Sequence, residues 1–67
     1  MLYTGFINNA NHGYPEVGPV ESLVDAYIAA NELLEMHYRF GGEIILHPGL
    51  EEDARCVILQ VLDEAGV

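Results

Sequence analysis

Apolar and polar positions alternate along this chain with two different periods. Leu2 to Ile7 is rich in aromatic and β-branched residues and predicts a strand, with Leu2, Thr4 and Phe6 on one face. Gly5 interrupts it, which either weakens the strand or marks a close approach of another backbone. Asn8 to Gly18 has the composition of a loop, because its Asn and Gly residues tolerate positive φ and Pro15 fixes φ. From Pro19 to Phe40 the pattern is helical: Gly18 is the expected N-cap, Pro19 suits the first turn, and Gly41-Gly42 is the stop. Glu43 to His47 predicts a short second strand, closed by Pro48-Gly49. Leu50 to Glu64 predicts a second helix, with Glu51, Glu52 and Asp53 at its positive end.

The expected fold is therefore a small single-domain α/β (α+β) protein of order β-α-β-α, in a single layer of two short strands packed by two helices. A strand–helix–strand unit normally makes a right-handed crossover between parallel strands. An antiparallel sheet with a further short strand inside the 8–18 segment is the alternative. Two strands leave open edges, and the chain has no lysine to guard them. The sheet is accordingly expected to be completed across a homodimer or against a partner.

The helix faces carry the functional signal. On a wheel of about 100° per residue, Asp25, Glu32, Glu35 and Arg39 fall within about 40° of Glu21, with Ile28 among them. Glu35 is spaced to pair with Arg39. The opposite face holds Leu23, Tyr27, Ala30, Leu34 and His37 and is expected to be the core side; its apolar arc is wider than one small sheet needs. On the second helix Leu50, Ala54, Val57, Ile58, Val61, Leu62 and Ala65 form the apolar side. Asp53, Gln60, Asp63 and Glu64 lie opposite, Leu59 faces outward near Glu52 and Asp63, and Glu51 is spaced to pair with Arg55.

Composition narrows the classes. The 67 residues carry a net charge of −9, from 11 acids against two arginines, yet 51% of them are hydrophobic, too apolar for a disordered acidic tail. Such a charge repels nucleic acid and anionic membranes, so direct binding to either is not expected. No leader-like or membrane-spanning run is apparent, and a lone Cys56 fits a reducing, cytoplasmic setting. Among carboxylates, Cys56 is poorly placed to act as a thiolate nucleophile. There is no His-x-x-x-His, Cys-x-x-Cys, phosphate-binding glycine loop or Gly-x-Ser-x-Gly, so no metal, cofactor or catalytic residue is expected. Ser22 with Asp25 reads as a capping pair.

These features point to a non-enzymatic inhibitor that occupies the basic, nucleic-acid-binding surface of another protein. Small phage-encoded inhibitors, anti-CRISPR proteins and other DNA mimics share this profile of size and charge. Carboxylates of Glu21, Asp25, Glu32, Glu35, Glu52, Asp53, Asp63 and Glu64 would stand in for phosphates, with Ile28 and Leu59 as apolar contacts. Asn9, Asn11, His12 and Tyr14 are further contact candidates in the loop. Two alternatives stand beside this reading. One is a structural or regulatory homodimer, adaptor- or antitoxin-like, whose acids serve only solubility. The other is an enzyme at a dimer interface using His12, His37 or His47.

Overall fold

The computed structural model describes residues 3–8 and 16–67. The elements run β1 (Gly5–Asn8), β2 (Glu16–Val17), α1 (Leu23–Phe40), β3 (Glu43–Leu46) and α2 (Glu52–Glu64). Strand order is β2-β1-β3, and both outer strands are antiparallel to β1. The fold is broadly α+β; the expected pair of parallel strands needs correction, and the alternative, an antiparallel sheet with a short strand inside the 8–18 segment, is the one realised. The sheet has a third strand, and β1 and β3 are antiparallel rather than parallel. The reason is that the chain reverses before α1 begins: Glu16 pairs with Phe6 and Val17 with Gly5, and the Val17 side chain is buried. β2 and β3 thus run parallel to each other with β1 between them. The strand–helix–strand crossover is realised between β2 and β3.

Thr4 extends the ladder on both sides. Its N–H donates to the Val17 carbonyl at 3.1 Å, and its carbonyl accepts from His47 N–H at 3.4 Å. Gly5 has a φ of 137°, and a Cβ there would overlap the carbonyl oxygen of Ile45. The glycine in β1 is therefore a close backbone approach, since no L side chain fits between the paired strands.

α1 begins at Leu23 rather than Pro19. Ser22 is the N-cap: its Oγ accepts from Asp25 N–H at 3.2 Å, while Asp25 Oδ2 accepts from Glu21 N–H at 3.2 Å. The hydroxyl and carboxylate satisfy donors that Gly18 has no side chain to reach, so the helix starts where they lie. Pro19 precedes it, joined to Gly18 by a cis peptide bond. At the other end Gly41, φ 71°, closes the helix by donating to the His37 carbonyl at 2.8 Å.

The core is built from Val17, Val20, Ala26, Ala29, Ala30, Leu33, Leu50, Ala54, Ile58 and Leu62. Ile44 and Leu46, two residues apart on β3, pack against it from the sheet. The buried stripe of α1 is centred on its alanines, rotated by roughly 70° from the centre of the expected face of Leu23, Tyr27, Ala30, Leu34 and His37. Small side chains let α1 approach α2 and the strands together, and the bulkier apolar residues turn outward. α2 begins at Glu52, with Glu51 as an N-cap that makes no side-chain bond. Its buried side is largely the expected one, except that Ala65 lies past the helix end and is exposed. Arg55 does not pair with Glu51; its guanidinium donates to the His47 carbonyl at 3.3 Å and ties α2 to the end of β3.

Gly5→Ala is expected to destabilise the fold by about 2 kcal/mol or more, through positive φ and overlap with Ile45. Urea unfolding against the parent chain measures this; a loss below about 0.5 kcal/mol would show that the strands tolerate a methyl group there.

Candidate functional site

The helix start and the rotation of α1 decide where the acids go. Asp25, Glu32 and Glu35 remain on one side of α1, and that side meets the outer strand β2. Glu16, Val17, Glu32, Glu35, Met36 and Arg39 line an open groove of about 270 Å³ between the two elements. It continues into a smaller depression of about 80 Å³ that shares Val17 and Glu32 and adds Asp25, Ile28 and Ala29. Four carboxylates from two elements thus flank an apolar floor of Val17 and Met36, with the exposed Ile28 beside it. The stripe from Asp25 to Arg39 runs roughly 21 Å along the helix.

Arg39 is the cation of this groove. Its guanidinium lies 3.3 Å from Glu35 Oε1, with both side chains about two-thirds exposed (65% and 70%). The expected pair therefore forms, but in water, where it holds little energy. Ile28 is exposed, as its place among the carboxylates requires. Glu16 and Val17 were not foreseen as site residues, because they fall in a segment of loop composition. The available signal was the apolar Val17 beside Glu16, too short a pattern to mark a strand.

The other predicted contacts do not join this groove. Glu21 lies outside α1 and, with Glu51 and Asp53, lines a depression of about 140 Å³ where the two helices begin. Leu59 and Asp63 line a separate, wide cleft of about 610 Å³ with His37, Glu43, Ile44 and Leu62. Glu52 Oε1 lies 3.9 Å from the exposed Cys56 Sγ, and Glu64 accepts from Gln60 at 3.5 Å. The carboxylates therefore form separate acidic places instead of one continuous face. Asn9, Asn11, His12 and Tyr14 lie outside the described residues.

The two described histidines, His37 and His47, lie in different settings. His37 is half-buried at the wide cleft, and its Nδ1 has no hydrogen-bond partner among the described residues. His47 Nδ1 accepts from Gly49 N–H at 2.9 Å and shapes the turn after β3. Among the described residues no three His, Cys, Asp or Glu side chains are grouped to hold a metal ion, and no helix is long and apolar enough to cross a membrane. No protein-family model, curated protein or solved structure matches this chain.

Arg39→Ala is expected to change folding stability by less than about 0.5 kcal/mol, since its ion pair is solvated. Thermal unfolding of the variant checks this. A loss above about 1 kcal/mol would mean that Arg39 is a structural clamp between helix and strand.

Proposed function

We propose that this chain is a non-enzymatic binding protein whose acidic groove takes lysine and arginine side chains of a partner, on the surface that partner uses for nucleic acid. The observation that supports this most is the convergence of Glu16, Asp25, Glu32 and Glu35 on a groove with an apolar floor. Carboxylates about one helical turn apart offer hydrogen-bond acceptors to several cations at once, and the floor accepts the aliphatic stems of long basic side chains. A net charge of −9 steers a basic surface toward the chain from a distance. The mechanism is competition: the acids occupy sites where phosphates would bind.

The same groove supports completion of the sheet by a partner. β2 is an outer strand of two residues, and both Glu16 and Val17 line the groove. A partner segment pairing with that edge would enter beside the carboxylates, so that backbone pairing and charge recognition act on the same segment. The remaining acids, at the helix starts and the wide cleft, contribute long-range attraction.

Capture from a cell lysate at low and high salt tests the proposal, with the recovered partner then assayed for nucleic-acid binding. The expected partner is a basic nucleic-acid-binding protein that salt releases and whose nucleic-acid binding the chain blocks. Glu32→Lys combined with Glu35→Lys, both at exposed positions, should lower its recovery at least tenfold. Equal capture by the charge-reversed chain, or a partner held as tightly in high salt, would overturn it.

A further inference from the structure

α1 leaves a second face without a partner among the described residues. Leu23, Tyr27 and Tyr38 are 51%, 52% and 67% exposed, and Val24 is 67% exposed. Leu34 lies between them, half-buried against the core. On the helical wheel these five residues and Asn31 fall within an arc of about 100°, running roughly 22 Å along the axis. No charged residue lies inside that arc, in a chain where 19% of residues are charged. The acidic stripe begins where the arc ends. An apolar, aromatic stripe of this extent on a small protein marks an interaction surface.

Its spacing identifies the occupant. Leu23 and Tyr38 are equidistant from the Ala30–Asn31 peptide, and so are Tyr27 and Leu34. A face with that symmetry complements itself when two helices pack antiparallel about a two-fold axis. We infer that α1 is a homodimerisation helix, packing antiparallel against α1 of a second copy with the two-fold axis at Ala30–Asn31. Leu23 then meets the partner's Tyr38, and Tyr27 meets the partner's Leu34, an aliphatic side chain against an aromatic one at each level.

Charge agrees with this register. Arg39, the one arginine of α1, lies at the height of the partner's Ser22, within a helical turn of the partner's Asp25. Asn31 sits at the centre, with one amide N–H turned back to the Tyr27 carbonyl at 3.0 Å. The face can cover roughly 500 Å² per copy, so about 1,000 Å² in all, the lower limit for a specific interface. A weak, concentration-dependent dimer follows. The same axis brings the acidic stripes of both copies to one side of the dimer, running in opposite directions.

Cysteine trapping in the full chain tests the register, with Cys56→Ser removing the native exposed thiol. Asn31→Cys places the two thiols at the axis, where a disulfide can form; Leu23→Cys places them roughly 22 Å apart, beyond its reach. The expected result is at least tenfold faster cross-linking of Asn31→Cys under mild oxidation. Equal rates, or no dimer from Asn31→Cys, would overturn the arrangement. Light scattering of the unmodified chain should rise with concentration toward twice 7.4 kDa, and Tyr27→Glu should remain at the monomer mass. A parent chain that stays monomeric at millimolar concentration also overturns it. Two copies at −9 repel, so salt should strengthen this association, the reverse of its effect on capture of a basic partner. Association that weakens with salt would count against an apolar seam.

Discussion

Close approach of α1 to the rest of the molecule governs this structure. Ala26, Ala29 and Ala30, with Leu33, form the buried stripe of that helix, and α2 answers with Ala54, Ile58 and Leu62. Three methyl side chains let the helix backbone come near, and tight packing then fixes its rotation, because any turn about the axis would drive a larger side chain into the space an alanine fills. Every functional assignment made for α1 follows from that rotation. It turns Asp25, Glu32 and Glu35 toward β2, and it leaves Leu23, Tyr27 and Tyr38 in water.

The sheet imposes a second constraint. Gly5 allows β1 and β3 to pair where no side chain could stand, and Thr4 carries the ladder to both neighbours through its backbone. With β1 central, β2 becomes an edge beside α1, so its short pairing with Gly5 and Phe6 places Glu16 and Val17 along the acidic groove. Arg55 secures the far end by bonding the His47 carbonyl, which links the start of α2 to the end of β3.

Charge and exposed apolar surface occupy separate sides of α1. Carboxylates act over roughly a Debye length and favour a basic partner; the Leu23–Tyr38 stripe acts only on contact and is indifferent to charge. Set side by side on one helix, they would, on the reading proposed above, let the chain associate with itself and hold a basic surface at the same time. The charge that would oppose the proposed self-association is the charge that would drive the proposed capture of a basic partner.

Much of this was legible in the residues themselves. The two helices, the glycine stop at Gly41, the short strand at Glu43, the Ser22–Asp25 capping pair and the Glu35–Arg39 pair all follow from local chemistry within about one helical turn. The common side of Asp25, Glu32 and Glu35 was legible for the same reason, since helical spacing alone sets it. What only the tertiary structure decided is non-local. Periodicity marks an apolar arc but not which part of a wide arc is buried, and here packing chose the alanines over Leu23 and Tyr27. The two-residue strand Glu16–Val17 has no pattern of its own and exists because β1 offers it a partner. The separation of the acids among groove, helix starts and wide cleft depends on how the two helices and three strands assemble, which no single segment of the chain encodes.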